Sequence, residues 1–580
     1  MRRFAQKLAD LLLFVVGVCG LALLVWEIGW PLSPDQNEWL VQAMRGLLAA
    51  FACCVLGQWA LGPYRKQYFL KHRASLVMVL LALAALFLEP YLPGWFEEDF
   101  PPQLISRIVL VFASFSQIFI LAGVLLHALP MLERRVFVRM SPGMLLIVTF
   151  LLLILVGMCL LQLPNATQPG RELSWLDALF TSTSAVCVTG LIVVDTATEF
   201  TRTGQAILLV LFQVGGLGIM TLTYFLAVLA GEGLSVRNRV QLSELMSEDR
   251  ISSLGSLLGI ILVTTFAVEA VGAGLLYLCW GQDSLLWFDA LFHSVSAFCN
   301  AGFSTFSSNL ADPLTAQSTS THWVIIVLII MGGLGFPVLR DLALHGGRRV
   351  LRRPRVSARG LTTHTRLVLV TTGLLLAGGS LAMYLTDQSM AGEGFWRRLD
   401  VAIFNSVTAR TAGFNITDLG HLAPAAVLVM VFLMFIGGSP GGMAGGIKTT
   451  TFAVAWLNVS RLMRNRRDLE VFRRRLPQEL LDHAYAALIL GLFWAFIVWF
   501  LILWIEPQLD VMDTFFEVFS AFGTVGLSRG ITSSLSEPSK WLIILTMFVG
   551  RIGIMTFTLA IFRSRSYTPM RLPPDRVIIG

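Results

Sequence analysis

Asp177-Ala-Leu-Phe-Thr-Ser-Thr-Ser-Ala-Val-Cys-Val-Thr-Gly190-Leu191 is one of four related stretches, and their common register decides the fold. The others are Asp289-Ala-Leu-Phe-His-Ser-Val-Ser-Ala-Phe-Cys-Asn-Ala-Gly302-Phe303, Asp400-Val-Ala-Ile-Phe-Asn-Ser-Val-Thr-Ala-Arg-Thr-Ala-Gly413-Phe414 and Asp513-Thr-Phe-Phe-Glu-Val-Phe-Ser-Ala-Phe-Gly-Thr-Val-Gly526-Leu527. Each glycine stands 13 residues after its aspartate, and successive glycines are 112, 111 and 113 residues apart. A single Thr-x-Gly carries no information, but four in register, each between two apolar spans, mark an internal repeat. A segment of this length cannot cross a membrane and return as helix, so each dips in from one side and goes back. Such re-entrant backbone is tolerated only where it is buried in protein or lines a watery cavity.

The rest of the chain fits a bilayer as solvent. It has 580 residues, 56% hydrophobic and only 14% charged, with a mean hydropathy of +0.73, far from the mixture of a soluble domain. Apolar stretches of roughly 20 residues recur about twelve times, which argues for helices and against a barrel of short alternating strands. The first, at about 8–30, has no small-residue cleavage site behind it and is expected to be a retained helix. The net charge of +7 is distributed by side: basic clusters fall at 65–73, 134–139, 340–366 and 461–475, whereas Glu97, Glu98 and Asp99 lie between two of them. By the positive-inside rule the basic clusters are cytoplasmic, as are both termini, so topology and not nucleic acid explains them. The seven cysteines form no metal-ligand or disulfide pattern.

The expected fold is an all-α integral membrane protein: four pseudo-symmetric helix, pore-loop, helix repeats around a central pore, preceded by an N-terminal helical extension. The boundaries are 1–140 for an extension of about four transmembrane helices, 141–250 for repeat 1, 251–362 for repeat 2, 363–477 for repeat 3 with a broken second helix, and 478–580 for repeat 4 with a cytoplasmic tail. The second spans carry Gly215-Gly216, Gly332-Gly333, Gly437-Gly438 and Gly550-Arg551, small residues that suit close helix packing.

Four equivalent loops around an axis can supply the ring of backbone carbonyls that replaces the hydration shell of a potassium ion. Glycine reaches positive φ at little cost and adds no side chain to plug the path. The residues expected to meet the ion, mainly through their carbonyls, are Val188, Thr189 and Gly190; Asn300, Ala301 and Gly302; Thr411, Ala412 and Gly413; Thr524, Val525 and Gly526. Thr189, Asn300, Thr411 and Thr524 are read as equivalent polar neighbours of the glycines. Asp177, Asp289, Asp400 and Asp513 are expected to cap short pore helices. His293 and the paired Cys187 and Cys299 are assigned structural roles.

Gly437-Gly438-Ser439-Pro440-Gly441-Gly-Met-Ala-Gly445-Gly446-Ile-Lys448 interrupts an apolar span. It is not a phosphate-binding loop, because an isoleucine separates Gly446 from Lys448 and no strand precedes it. A break at that depth should line a cavity, and below the filter it could obstruct ions as a gate. Lys448 and Arg551 are charges at membrane depth, where they are usually functional; Arg551 is expected to contact carbonyls of this loop or to form a cation barrier. Arg410 is expected to brace the loop beside the third filter.

These motifs, with Ala444-Gly-Gly-Ile-Lys448-Thr-Thr-Thr, resemble those of the Ktr/Trk/HKT superfamily of potassium transporters, and within it the bacterial membrane subunits of the KtrB/TrkH type, over about 141–563. The resemblance implies potassium uptake across the bacterial plasma membrane, with sodium as a further ion, no organic cofactor, a homodimer, a cytosolic RCK-type nucleotide-binding regulatory subunit, and an intramembrane gate held by Arg551. Glycine in all four filters is similar to the potassium-selective members. The expected extension of four spans exceeds what these subunits usually carry. A voltage-gated channel is excluded because no span has arginine at every third position. A membrane-embedded enzyme lacks a carboxylate pair or histidine cluster at midplane, and a channel of lower potassium-to-sodium discrimination is the remaining alternative.

Overall fold

A computed structural model describes residues 34–61, 142–230, 254–281, 286–350, 361–390 and 392–561, with scattered positions between 12 and 33. The basic stretches at 65–73 and 134–139, most of the extension and the C-terminal tail lie outside the described residues. The chain divides into two compact units: Met1–Met140 with Cys159–Leu173 and Phe200–Ile207, and Ser141–Met158 with Ser174–Glu199 and Leu208–Gly580. In the first, Pro34–Leu61 is helical and a β-bridge joins Thr167 to Phe200.

A four-part unit recurs along the chain. Its first element is an outer helix, Pro142–Leu161, Leu254–Cys279, Thr363–Thr386 or Gln478–Ile505. All four contain a stretch long and apolar enough to cross a membrane, and among the described residues Thr319–Leu334 and Phe336–His345 reach that length and apolarity together, with a bend of 102° between them. The next element is a short, deeply buried pore helix: Trp175–Val186, Trp287–Cys299, Phe395–Thr408 and Val511–Gly523. In repeats 1 to 3 a serine of the pore helix donates to a carbonyl of its outer helix, Ser182 to Ile154 at 2.7 Å, Ser294 to Glu269 at 2.7 Å and Ser406 to Leu376 at 3.0 Å. Glycines at 157, 272 and 379 leave room for those hydroxyls.

The aspartates are not the N-caps. Ser174 caps the first pore helix and Asp510 the fourth, each side chain accepting from first-turn amides, while Asp177 and Asp513 stand inside the first turn. Asp289 has the same place behind Leu286. There a carboxylate still complements the positive helix end, and two of these aspartates, Asp177 and Asp513, also meet cations. Lys540 at the start of the fourth inner helix lies 2.7 Å from Asp177, and Arg529 lies 3.0 Å from Asp513. Asp400 sits a turn deeper, in a helix that begins at Phe395, and is bound by His322 at 2.6 Å. This helix starts about one turn earlier than the others relative to its aspartate, and the junction after it also differs by one residue. The amides of Thr189, Ala301 and Val525 bond carbonyls five residues back, whereas Ala412 bonds Thr408, four back. The third junction is therefore shorter, and the 13-residue spacing of Asp400 does not make it structurally equivalent.

The inner segments differ from one repeat to the next. Arg202–Ala230 is continuous; Thr319–Leu334 ends at Gly335 before Phe336–Val350; Pro424–Phe435 and Thr449–Met463 are separated by residues 436–448; Glu537–Ile552 ends at Gly553 before Ile554–Ile561. Only the third interruption is expected from the sequence. Gly335 and Gly553 adopt φ of +87° and +88°, which helix cannot continue through and which a side chain rarely accepts. The first glycine of the pairs at 215, 332 and 550 packs where expected: a Cβ there would collide with the carbonyl oxygens of Val186, Phe298 and Phe522, at the ends of the pore helices.

Candidate functional site

After each pore helix the backbone turns left-handed twice. Val188, Asn300, Thr411 and Thr524 have φ between 50° and 73°, and Gly190, Gly302, Gly413 and Gly526 between 70° and 91°. This register corrects the expected equivalence: Val188, not Thr189, matches Asn300, Thr411 and Thr524, and Thr189 occupies the position of Ala301, Ala412 and Val525. Alternation in the sign of φ turns successive carbonyls to one side of the loop. Pore-helix hydroxyls hold the loops: Ser184 accepts from the amide of Gly190 at 3.0 Å, and Ser296 and Thr408 donate to the carbonyls of Phe303 and Phe414 at 2.8 and 2.6 Å. Asn300 and Thr411, from neighbouring repeats, meet at 3.2 Å; with its amide nitrogen turned to the carbonyls of Ala297 and Ile329, Asn300 accepts from the Thr411 hydroxyl.

The four glycines close a ring. A Cβ on Gly302 would stand 2.9 Å from the carbonyl oxygen of Ala412, and one on Gly413 2.5 Å from that of Val525. On Gly190 and Gly526 it would collide with the carbonyl oxygens of Ala301 and Thr189. Each glycine thus abuts the carbonyl of the residue before the next glycine, in the order 1, 2, 3, 4 and back to 1. A cavity of about 320 Å³ opens outside the ring, lined by all four glycines, Asp195 and Asp418 among others.

Residues 436–448 pack directly under the ring. A Cβ on Gly437 would stand 3.3 Å from Thr411 Cγ2 and one on Gly446 3.2 Å from the Cα of Gly523, while one on Gly445 would meet the Thr524 hydroxyl. The second inner segment holds the loop through its backbone: Ser439 N donates to Gly333 O at 2.9 Å, Met443 N to Gly332 O at 3.1 Å, and Phe336 N to Gly441 O at 2.9 Å. A parallel bridge joins Ile436 to Ile447, and the Ser439 and Thr449 hydroxyls meet at 2.9 Å. Three cations fill carbonyls around it. Arg410 reaches Gly437 O at 3.0 Å, Lys448 bonds Ala444 O at 2.6 Å, and Arg551 donates to Met443 O and, at 2.8 Å, to Gly215 O. Arg551 is buried and ties the first inner helix and the loop to the fourth inner helix, which takes the contact half of the expectation for it. A buried guanidinium facing carbonyls satisfies several acceptors at once.

Two acids in apolar surroundings went unnoticed in the sequence. Glu269 on the second outer helix accepts from Gln213 at 3.1 Å, whose amide oxygen lies 3.1 Å from the Cys299 thiol. Glu517 lies inside the fourth pore helix against Ser528 and Thr532. A lone carboxylate within an apolar run is the signal that would have found both. Among the described residues no cluster of three or more His, Cys, Asp or Glu side chains could hold a metal ion.

Comparison with known proteins gives this geometry a family. Residues 110–567 match TrkH, described as a cation transport protein. The Ktr system potassium uptake protein B of Bacillus subtilis is 36% identical over 451 residues, covering 76% of this chain and 98% of that protein. The potassium/sodium uptake protein NtpJ of Enterococcus hirae is 35% identical over 471 residues, covering 77% and 99%. The crystal structure of the potassium transporter TrkH from Vibrio parahaemolyticus superposes with a TM-score of 0.60 at 19% identity over 84% of this chain and 97% of that one, a likeness of fold. With its four buried glycine loops and apolar helices, the chain belongs to the TrkH family of cation transport proteins.

Proposed function

We propose that this chain is the membrane subunit of a bacterial potassium uptake system, conducting the ion through the ring of Gly190, Gly302, Gly413 and Gly526. The observation that carries the reading is that each of these glycines abuts the carbonyl of the next repeat, because such a ring replaces water ligands without covalent chemistry. The carbonyls of Val188 and Thr189, Asn300 and Ala301, Thr411 and Ala412, and Thr524 and Val525 continue the path. Residues 437–446, with Lys448 and Arg551, act as the gate beneath it. Sodium is a second transported ion on this reading, in line with the name of the Enterococcus relative. The plasma membrane is the site of action, with both termini cytoplasmic. A homodimer and a separate cytosolic RCK-type regulatory subunit complete the assembly; the Bacillus relative's name marks it as one component of a system.

The chain should restore growth of a potassium-uptake-deficient bacterium at low potassium and take up rubidium in proteoliposomes; correct insertion without either would overturn the reading. Gly190→Ser should raise sodium permeation relative to rubidium, and an unchanged ion preference would remove Gly190 from the filter.

A further inference from the structure

The four pore helices carry a polar side chain at one common place. It stands nine residues before the filter glycine in repeats 1, 2 and 4, and eight before it at the shorter junction of repeat 3: Thr181, His293, Asn405 and Glu517. All four are at most 1% exposed. In repeats 2 and 4 this residue grips the serine two positions after the glycine. His293 Nδ1 lies 2.7 Å from the carbonyl oxygen of Asp289, to which it must donate, and Nε2 lies 2.9 Å from Ser304 Oγ. Ser304 Oγ accepts from the amide of Phe306 at 3.0 Å, so its own proton points to His293. Glu517 Oε1 accepts from the Ser528 hydroxyl and, at 2.8 Å, from Thr532. Ser528 Oγ accepts from the amide of Gly530 at 2.9 Å. Two different side chains have built one latch: a pore-helix acceptor, a serine hydroxyl, and the amide two residues further on.

The other two repeats lack it. Ile192 and Asn415 stand where the serines would be. The Thr181 hydroxyl and both amide atoms of Asn405 are buried without a hydrogen-bond partner. Ser304 and Ser528 line the outer cavity together with the four glycines. Since the ring closes in the order 1, 2, 3, 4, the latched repeats face each other across the axis.

We infer that His293 and Glu517 are positioning residues which, through Ser304 and Ser528, hold two opposite filter loops at the spacing that separates potassium from sodium. The inference rests on the potassium-filter reading above. A loop tied at its outer end to a rigid helix keeps its carbonyls at a set distance from the axis, and ion discrimination depends on the number and placement of those oxygens.

The test is the ratio of rubidium to sodium uptake in proteoliposomes of the full chain. Ser304→Ala and Ser528→Ala remove one hydroxyl each and should fold as the parent. Each should lower the ratio roughly threefold to tenfold, the scale set by one buried hydrogen bond. Glu517→Ala should match Ser528→Ala, the double variant should fall no further than either alone, and Glu517→Gln, which keeps an acceptor oxygen, should restore most of the ratio. Thr181→Val should leave it unchanged. Parental ratios in both serine variants would overturn the inference, and so would a Glu517→Gln variant as impaired as Glu517→Ala. Absence of rubidium uptake by the unaltered chain is a different result, which would remove the filter reading itself.

Discussion

The glycine ring and the inner segments below it are built from the same four repeats, yet one is nearly symmetric and the other is not. In the ring, four loops share the same pair of positive-φ positions despite different side chains around them. Below it the first inner helix is continuous, the second and fourth break at one glycine, and the third is interrupted by residues 436–448. A ring of carbonyls needs equal contributions from every repeat, because one displaced oxygen changes the coordination of the ion. A gate of the kind proposed for residues 437–446 needs only one repeat, which leaves the others free to support it. Gly332 and Gly333 accept from its amides, Arg410 and Arg551 cover its carbonyls, and Gly335 turns the second segment toward Gly441.

The most damaging way to break this contrast is to add a methyl group to the ring. Gly302→Ala places a Cβ against Ala412 at a φ of +70°. Strain and displacement of about 3 kcal/mol correspond to a loss of uptake on the order of a hundredfold. Rubidium flux at matched protein density measures it, and flux above half the parental value would mean that the ring tolerates asymmetry. Next in size is the gate. Deleting residues 439–445, or replacing Arg551 by alanine, should raise flux several-fold, on the scale of a few lost charge-assisted hydrogen bonds. The rubidium-to-sodium ratio should stay put, since no residue of the proposed filter is changed. An unaltered flux would leave a passive kink in place of a gate.

The belt of ion pairs at the pore-helix starts should matter less. Asp177→Asn removes a partly exposed pair with Lys540 and should cost about 0.5–1 kcal/mol, read as a lower melting temperature with selectivity intact. A shift in selectivity would instead tie this carboxylate to the ion path. The smallest effect concerns Glu506, just beyond the fourth outer helix. Burial pushes its carboxyl up, but hydrogen bonds from Ser536 and Ser539 outweigh burial and hold it below the usual carboxylate value. A group with a depressed folded-state pKa stabilises the protein above its unfolded value and loses that contribution as pH falls through the folded one. Glu506→Gln should therefore flatten the decline in thermal stability below about pH 4, and an identical pH profile would show that this contact contributes nothing.

Much of this was legible in the residues. The repeat, the glycines and the break at Gly437 to Gly446 follow from spacing and from the physical demands of a bilayer, and Arg551 was recognisable because a charge there requires acceptors. The aspartates misled for a physical reason. A carboxylate near a helix start stabilises it from several positions, so its presence does not say whether it caps the helix or meets Lys540 or His322 from another repeat. The 13-residue spacing of Asp400 concealed a one-residue shift, because a junction one residue shorter and one extra residue between the aspartate and that junction cancel in the count.

By itself the sequence determined what every repeat must do alike: cross apolar surroundings, dip in, and present a glycine where the backbone turns left-handed. Apolar periodicity and positive φ are local demands, and local demands leave marks in the residues that meet them. Only the tertiary structure decided which neighbour each residue serves. The closure of the ring from Gly526 to Thr189, the reach of Arg551 to Met443 and Gly215, and the pairing of His293 and Glu517 with serines beyond the glycines join residues through space. A hydrogen bond constrains the atoms at its two ends and leaves no periodic mark between them.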